Sequence, residues 1–332
     1  QKAGLGPPAT VGNLREHAGP KVASRHDCLA ARARLIMRAM KIPETYAVIV
    51  TAAGRGTRAG GDIPKQWRVL DGRSVIQRSI EAFAGFPRIV VTLSPEDMGR
   101  GLDQLSGQVV LVAGGDTRSA SIRAALETLE GSGVTHVLIH DGARPLVSPH
   151  VIGGVVTALE AGADAAAPGL PVTDALWRAE GGHVTGTANR EGLLRAQTPQ
   201  GFRLAPILAA HRAAPESAAD DVEIAHRAGI PVAITAGADD NIKLTWPGDF
   251  ARADAILRAQ MAEFDVDAMA FRAMSEKFMD ELKAGKAHPA QPNMMYSFQP
   301  RPDYRLAFGN LTQSEIVDPE TLPTQAVSFP PN

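Results

Sequence analysis

Short apolar runs alternate with amphipathic stretches through the middle of the chain. Apolar runs of strand length occur at 47–51, 88–93, 109–113, 136–140, 164–170 and 232–235. Segments with a helical spacing of apolar residues follow them, at 74–85, 117–130, 148–161, 204–212, 220–228 and 248–260. This alternation predicts a mostly parallel sheet that is covered by helices on both faces. Ligands of such sheets bind beyond the carboxyl ends of the strands, so the residues at those ends are the candidates for function.

The two ends of the chain have a different pattern. Residues 1–40 are rich in arginine and poor in acidic residues, and we expect a disordered extension there, with organelle targeting as the alternative. Residues 263–332 begin with the apolar spacing of a helix that ends at Gly285 and continue as a proline-rich tail of unknown role. The central domain is therefore predicted at 41–262.

Composition excludes several classes of function. The formal net charge of −2 implies neither a nucleic-acid nor a membrane partner. The single cysteine, Cys28, excludes an intramolecular disulfide framework and fits a reducing compartment, so we expect a cytoplasmic protein. The sequence also lacks an apolar run of about 18 residues, the length that a membrane span requires.

A glycine-rich, basic loop, AAGRGTRAGGDIPKQW at 52–67, follows the first apolar run. It is not the ATP-binding P-loop, because Lys65 is followed by glutamine and not by serine or threonine. The favoured interpretation is an extended loop whose backbone N–H groups approach a phosphate chain. Arg58 and Lys65 would then supply cationic donors to the phosphates. A solvated basic loop without a ligand is the structural alternative.

The same loop also matches the dinucleotide fingerprint through Gly54, Gly56 and Ala59. That fingerprint requires a helix to follow at once and an acidic residue at the end of the second strand. Pro64 and the glycines before it prevent the helix, and the next strand ends at Ser94 without an acidic residue. A nicotinamide-dependent oxidoreductase is therefore a disfavoured hypothesis.

The segment GGDTRSAS at 114–121 follows the third apolar run. Its glycine pair allows the backbone to approach a planar group, such as a nucleotide base, closely. Asp116 or Thr117 as an ordinary helix N-cap is the structural alternative.

Acidic and basic residues follow two further strands. Asp141, at the tip of the fourth apolar run, is well placed for a metal ion, and Arg144 can pair with it or with a phosphate, whereas His140 is interpreted as a packed core residue. Asp240 and Lys243 reach the same sheet edge from a later segment. Two carboxylates with few other ligands suit Mg²⁺, which keeps waters and phosphate oxygens in its coordination shell. The combination predicts phosphoryl or nucleotidyl transfer.

Five segments carry a resemblance to a known family. They are, in order, AAGRGTR…PKQW, GGDTRSAS, HDGARP, NREGLLRAQTPQGF and DDNIKLTWPGD. Together they resemble the 2-C-methyl-D-erythritol 4-phosphate cytidylyltransferases of the non-mevalonate isoprenoid pathway, over about residues 45–260. The resemblance implies an α/β, Rossmann-like nucleotidyltransferase fold with a protruding β-arm at about 171–197. It implies transfer of CMP from CTP to methylerythritol phosphate, with release of pyrophosphate.

The resemblance also implies which residues bind the nucleotide and the metal ion. Asp141 and Asp240 would hold Mg²⁺. The nucleotide would be bound by two groups of small and polar residues, which are Ala52, Ala53, Gly54 and Gly56 in the loop, and Gly115, Asp116 and Ser121 in the later turn.

The implied catalytic set consists of four cationic residues. Arg58 and Lys65 would lie on the CTP phosphates, and Arg190 and Lys243 would hold the phosphate of the acceptor. The acceptor site would also contain Asp141, Arg144 and Thr198. In the family the β-arm crosses to a second subunit, so the resemblance implies a homodimer in which Arg190 serves the partner's site.

Departures from the family pattern lie near the acceptor site. Ala175 and Ala219 stand where some members carry a hydroxyl residue, which leaves a cytidylyltransferase for another polyol phosphate, such as ribitol 5-phosphate, as the alternative. A non-catalytic nucleotide-binding or scaffolding protein is a hypothesis from another class, and the complete set of charged residues argues against it. Asp267 stands where a fused cyclodiphosphate synthase would have a zinc-binding histidine, so no second activity is expected.

Overall fold

The structure is a computed structural model that describes residues 36–37, 39–105, 107, 109–213 and 218–284. The extension expected before residue 36 and the tail expected after residue 284 lie outside the described residues. Within the part that is described, every helix is too short or too polar to cross a membrane.

The strands and helices alternate along most of the chain. The strands are β1 (Tyr46–Ala52), β2 (Val69–Leu70), β3 (Arg73–Ser74), β4 (Ile89–Leu93), β5 (Val110–Ala113), β6 (His136–Asp141), β7 (Ala165–Pro171), β8 (Leu176–Glu180), β9 (His183–Ala188), β10 (Leu194–Ala196), β11 (Gln200–Arg203) and β12 (Val232–Ala236). The helices are α1 (Val75–Glu81), α2 (Met98–Leu105), α3 (Arg118–Leu129), α4 (Pro149–Glu160), α5 (Leu204–Ala213), α6 (Asp221–Arg227) and α7 (Pro247–Lys283).

The central sheet contains eight strands in the order β10-β7-β11-β6-β1-β4-β5, with β12 paired to β7. The pairs of β1 with β4 and β6, of β4 with β5, and of β7 with β12 are parallel. Only β10 and β11 run against their neighbours among the described strands of this sheet. The predicted mostly parallel sheet is therefore confirmed. Strands β8 and β9 form a separate hairpin, where the arm was expected.

Alternation within β1 explains why both faces of the sheet are covered. Val48 and Val50 pack into one buried cluster, on the side of α1 and α4. Ala47 and Ile49 pack into a second cluster, on the side of α3, α5 and α6. Successive side chains of a strand point to opposite faces, so an all-apolar strand needs a helical layer on each side. Fully burying one such side chain contributes about 1.5–3 kcal/mol.

Helix starts follow local sequence signals. Ser74 caps α1 in a capping box with Gln77, and Ser148 caps α4 just before Pro149 at the first helical position. Thr117 caps α3 by accepting a hydrogen bond from the backbone N–H of Ala120 at 3.0 Å. Of the two residues considered for that cap, Thr117 therefore fills the role and Asp116 remains available to the site.

The structure differs from the predicted domain limits at both ends. Ile36 and Met37 are buried, and Met37 belongs to the main core cluster, although both residues precede the predicted start at 41. Helix α7 runs without interruption across the predicted boundary at 262. Helix α2 and the strands after β7 were not predicted individually, apart from β12. Their apolar residues are too few, or too irregularly spaced, for a periodic signal.

Candidate active site

A cavity opens at the carboxyl ends of β1, β5 and β6, as the parallel sheet predicts. It is lined by the glycine-rich loop after β1, the turn before α3, the end of β6 and Lys243. Several residues proposed from the sequence meet here, namely Ala52, Ala53, Gly54, Lys65, Gly115, Asp116, Ser121, Asp141 and Lys243. The fold therefore brings together segments that are almost 200 residues apart, as strand-end sites do in α/β proteins.

The glycine-rich loop positions Lys65 through Gly56. Gly56 has a φ of 63°, and a Cβ on it would lie 2.7 Å from the Cγ and Cδ atoms of Lys65. Lys65 thus packs its aliphatic part against the loop backbone and donates from Nζ to the Leu244 carbonyl oxygen at 3.1 Å. Burial, followed by the charge of Lys243, lowers the pKa of Lys65 below its ordinary value. Burial and the nearby positive charge both disfavour the protonated form of Lys65, so a bound polyphosphate would stabilise that form.

The turn before α3 is held tightly by Ser121. The backbone N–H of Gly115 donates to Ser121 Oγ at 3.1 Å, and that hydroxyl donates to the Thr117 carbonyl oxygen at 2.9 Å. A Cβ on Gly114 would lie 2.4 Å from Cβ of Ala53, so the turn and the first loop touch only because glycine stands there. Asp116 is exposed at this edge of the cavity.

Asp141 is the electrostatic centre of the cavity. Its carboxylate pairs with Lys243 at 2.8 Å, and the side chains of Arg118 and Arg144 both lie 3.6 Å away. Burial alone would raise the pKa of Asp141, but these three cations, with Lys243 first, hold it well below its ordinary value. Asp141 is therefore a carboxylate at any pH near neutrality.

The backbone around Asp141 is fixed by His140 and Thr198. The backbone N–H of Asp141 donates to Thr198 Oγ1 at 3.1 Å, and Thr198 Oγ1 lies 3.1 Å from His140 Nδ1. His140 Nε2 lies 3.1 Å from the Arg144 carbonyl oxygen, which can only accept a hydrogen bond. The proton of a neutral His140 thus lies on Nε2, and the Thr198 hydroxyl donates to Nδ1. His140 is fully buried, which confirms its interpretation as a packed core residue.

Arg144 makes internal contacts. Its guanidinium donates to the carbonyl oxygens of Asn241, at 2.6 Å, and Ala196, at 3.2 Å, besides lying near Asp141. Thr198 is likewise buried and its hydroxyl is occupied by the contacts above. Neither Arg144 nor Thr198 lines the cavity of the isolated chain. Their proposed contacts with an acceptor stay predictions, and the contacts that the structure shows hold the site together.

Four other proposed residues also lie outside the cavity lining. Gly56 packs against the aliphatic part of Lys65. Arg58 is exposed, and its guanidinium lies 5.8 Å from the ring centre of Trp246. Arg190 lies in the arm region and donates to the Thr173 carbonyl oxygen. Asp240 is exposed in the segment before Lys243. The single chain therefore leaves Arg190 and Asp240 outside the cavity lining. Arg58 is near enough that its charge, after burial and the charge of Lys243, also lowers the pKa of Lys65.

Arg118 is a cavity residue that was not predicted from the sequence. It lies in the first turn of α3 and contacts both Asp141 and Asp221, at 3.6 Å and 2.8 Å. Gln66, Thr51, Thr92 and Thr117 also line the cavity. The sequence feature that could have indicated Arg118 is its position one residue after the helix cap in GGDTRSAS. Its contact with the buried Asp221 could not be predicted, because the two residues are distant in sequence.

Among the described residues, no group of three or more His, Cys, Asp or Glu side chains is arranged to hold a metal ion. Two carboxylates line the cavity, Asp141 and the exposed Asp116, and Asp141 is the one whose pKa the neighbouring cations hold well below its ordinary value. This donor set fits Mg²⁺ only in company with a polyphosphate, because Mg²⁺ commonly takes one or two protein carboxylates and completes its shell with phosphate oxygens and water.

The fold and the cavity together define the class, an α/β protein of nucleotidyltransferase type. A family model described as 2-C-methyl-D-erythritol 4-phosphate cytidylyltransferase matches residues 46–259. The chain belongs to this family, which confirms the resemblance seen in the sequence.

Named relatives agree with this membership. The bifunctional enzyme IspD/IspF of Paracoccus denitrificans is 75% identical over 218 residues, which are 66% of this chain and 57% of that protein. A 2-C-methyl-D-erythritol 4-phosphate cytidylyltransferase of Cereibacter sphaeroides is 56% identical over 219 residues, which are 64% of this chain and 97% of that protein. The matched region thus spans little more than half of the bifunctional relative and nearly all of the other.

Solved structures show the same fold. The crystal structure of 2-C-methyl-D-erythritol 4-phosphate cytidylyltransferase from Thermus thermophilus has 33% sequence identity and a TM-score of 0.55, and it covers 64% of this chain and 98% of its own. The predicted Rossmann-like nucleotidyltransferase fold is therefore confirmed.

Proposed function

We propose that this protein transfers CMP from CTP to 2-C-methyl-D-erythritol 4-phosphate, giving 4-diphosphocytidyl-2-C-methyl-D-erythritol and pyrophosphate, as a step of isoprenoid precursor synthesis. The observation that carries the proposal is the cavity in which the Gly114–Ser121 turn faces Lys65, Lys243 and Asp141. A turn whose glycines allow a base to approach the backbone lies there beside two cations suited to phosphates.

The nucleotide is proposed to bind between the two glycine-containing segments. Ala52, Ala53 and Gly54 offer a surface without large side chains, and Gly115 and Asp116 offer polar groups to the edge of a base. Ser121 acts indirectly, because its hydroxyl holds the Gly115 backbone in place. A hydrogen-bonded base site rejects a mismatched base because its own polar groups are then left unpaired.

Transfer itself is proposed to be an in-line attack by a phosphate oxygen of the acceptor on the α-phosphorus of CTP. The new P–O bond forms as the bond to the pyrophosphate breaks. Lys65 and Arg58 neutralise charge on the triphosphate, and Lys243 and Arg190 hold the acceptor phosphate. No covalent enzyme intermediate is needed, so positioning and fixed positive charge supply most of the rate.

Mg²⁺ is the proposed divalent cation, and its contribution is to neutralise negative charge on the triphosphate. Asp141 and Asp240 are the residues proposed to hold it. The low pKa of Asp141 supports this assignment, because a hard cation needs an ionised oxygen ligand.

A homodimer is proposed from the β8–β9 hairpin. This hairpin is mostly exposed in the single chain, including Trp177 with 68% and Val184 with 56% of its surface accessible. Large apolar side chains on a protruding arm are suited to a protein partner. Arg190 follows the hairpin and lies outside the cavity lining of its own chain, which supports its proposed place in the partner's site.

The test is an assay of pyrophosphate release with Mg²⁺, each nucleoside triphosphate in turn, and either methylerythritol phosphate or ribitol 5-phosphate. We expect efficient pyrophosphate release only when CTP and methylerythritol phosphate are supplied together. Comparable turnover with UTP would contradict the base site, and preference for ribitol 5-phosphate would replace the proposed acceptor. An Asp141→Asn variant is the matched inactive control, since it removes the central charge and keeps the volume.

A further inference from the structure

A line of ionisable side chains runs from the cavity into the interior between three helices. Starting in the cavity, Lys243 contacts Asp141 at 2.8 Å, and Arg118 lies 3.6 Å beyond Asp141. Arg118 in turn contacts Asp221 at 2.8 Å, and His211 Nε2 lies 3.2 Å from the other oxygen of Asp221. The first three residues line the cavity, whereas the side chains of Asp221 and His211 are completely buried.

Two carboxylates compete for Arg118. The attraction between opposite charges grows as their separation falls, so the contact at 2.8 Å to Asp221 exceeds the one at 3.6 Å to Asp141. Burial alone would lower the pKa of Arg118, but Asp221 and then Asp141 raise it, so the guanidinium is charged. A completely buried carboxylate without a cation is costly, and this cost keeps Arg118 on Asp221.

Asp221 is held in place independently of Arg118. The backbone N–H groups of Asp221 and Val222 both donate to Gln200 Oε1, at 3.2 Å each. Gln200 Nε2 also donates to Asp220 at 2.9 Å, and Asp220 caps α6 by accepting from the Glu223 N–H. Strand β11 thus fixes the start of α6, and with it the position of the Asp221 side chain.

We propose that Asp221 is a positioning residue that keeps the Arg118 guanidinium off Asp141, so that Asp141 remains paired with Lys243 and open to the cavity. Its effect on turnover rests on the proposed function, but its effect on the ion pairs does not. In an Asp221→Asn variant, Arg118 loses its nearer anion and moves onto Asp141. The ion pair between Lys243 and Asp141 is then weakened, and the Asp141 carboxylate is less available to a bound substrate.

The test measures the reactivity of Lys243 toward acetic anhydride by mass spectrometry, relative to exposed Lys41. A lysine side chain that is released from its ion pair is more accessible to the reagent and is acetylated faster. We expect the ratio to rise at least threefold in Asp221→Asn. It should return to the wild-type value in the Arg118→Met/Asp221→Asn double variant, in which no guanidinium competes for Asp141. An unchanged ratio in Asp221→Asn, or an equal rise in the double variant, overturns the proposal.

Arg212→Ala is the matched control. Arg212 follows His211 in α5 and makes a two-point contact at 2.8 and 2.9 Å with Glu130, the residue after α3. It thus connects two of the three helices, but at the surface. We expect this variant to leave the Lys243 ratio unchanged, whereas a purely structural role of the helix contact predicts the same rise as in Asp221→Asn. If Asp221→Asn does not fold, Asp221→Ser replaces it. Serine also removes the carboxylate that competes with Asp141 for Arg118, and an unchanged ratio would again count against the proposal.

Turnover supplies a second measurement. We expect Asp221→Asn to lower kcat/KM by about tenfold, the smaller of the effects usual for residues that orient a functional carboxylate, while Arg212→Ala stays at the wild-type value. Wild-type kcat/KM in Asp221→Asn would contradict the catalytic consequence of the proposal. Absence of pyrophosphate release by the wild-type protein would count against the proposed function, and the Lys243 ratio would still decide the positioning role.

Discussion

At the scale of single residues, the site depends on glycines that leave room for other side chains. Gly56 makes space for the Lys65 stem, and Gly114 makes space for Ala53 and Ser121. Gly56 also adopts a φ of 63°, which residues with a Cβ rarely tolerate. These glycines therefore determine where the cation and the base-facing turn lie, although they offer no chemical group of their own.

Alanine at Gly56 is expected to displace Lys65 and to lower kcat. The added Cβ would come within 2.7 Å of two Lys65 carbons, and removal of one preorganised donor typically costs roughly 10²–10³ in rate. Pyrophosphate-release kinetics measure the effect. Gly99→Ala is the control, because an added Cβ there meets no described atom within 4 Å. Equal activity of both variants would show that the position of Lys65 does not matter.

His140 should make stability depend on pH. Burial lowers the pKa of His140 to about 4, whereas an unfolded histidine titrates near 6.5. Between these values the unfolded chain binds a proton that the folded chain does not, so the free energy of unfolding should fall as the pH decreases from about 6.5 to about 4. The total contribution is about 3 kcal/mol, at about 1.4 kcal/mol per pH unit.

Urea unfolding at several pH values measures this contribution. In a His140→Gln variant the free energy of unfolding should fall less between pH 6.5 and 4 than in the wild-type protein, by up to about 3 kcal/mol. His183→Gln, which changes an exposed histidine of the arm, should keep the wild-type slope. Parallel pH curves for the wild-type and His140→Gln proteins would disprove the assignment.

At the scale of elements, the start of α7 supports the glycine-rich loop. The Arg68 guanidinium lies 3.6 Å from the ring centre of Phe250, and Lys65 donates to the Leu244 carbonyl oxygen just before the helix. A third apolar cluster joins the loop region to the helix, and its members include Ala59, Leu70, Leu244, Phe250, Ala253 and Leu257. The loop that holds Lys65 is therefore packed against a helix distant in sequence.

A chain limited to residues 36–262 is expected to keep its fold and its activity. It retains Met37 in the core and every helix residue of the third cluster up to Leu257. A chain limited to 36–248 loses Phe250 and Leu257, and one limited to 41–262 loses Met37. Removal of a single buried side chain of this size costs about 2–5 kcal/mol.

Thermal unfolding and pyrophosphate release compare the three chains. The 36–262 chain should match the full-length protein, and the two shorter ones should unfold at lower temperature. Loss of activity in a folded 36–262 chain would assign a role in catalysis to the part of α7 beyond residue 262.

At the scale of the whole molecule, the proposed dimer can be tested by complementation. Arg58 lies on the loop of one proposed site, and Arg190 lies beyond the cavity of its own chain. If Arg190 serves the partner's site, a heterodimer of Arg58→Ala and Arg190→Ala chains has one site with both lesions and one with neither. Random mixing then restores up to about a quarter of all sites.

Activity in mixtures of the two variants measures this recovery. Subunit exchange must be shown independently, by mass spectrometry of differently labelled chains. A mixture of Arg58→Ala with Lys65→Ala is the control. Arg58 and Lys65 belong to the same loop, so each site of this heterodimer lacks one of the two residues. Recovery in this mixture would show that Arg58 and Lys65 of one chain serve different sites. No recovery in an exchanging mixture of Arg58→Ala and Arg190→Ala would place Arg190 in its own subunit's site or outside the site.

Much of the fold was predictable from local pattern. The six apolar runs correspond to β1, β4, β5, β6, β7 and β12, because each is long, apolar and flanked by a helix with clear periodicity. The antiparallel strands β10 and β11 were not predicted as strands, because Gln200 and Arg195 interrupt any apolar run there. Their pairing depends on neighbours supplied by β6 and β7.

The sequence by itself determined the family, the strand-and-helix order and most of the charged residues at the strand ends, because these depend on motifs and on periodicity that are local. Only the tertiary structure decided how those residues are paired. It placed Lys243 and Arg118 on Asp141, occupied the Thr198 hydroxyl within the protein, and brought the buried Asp221 behind Arg118. Contacts between charges distant in sequence depend on how helices pack on the sheet, and side-chain periodicity carries no information about that packing.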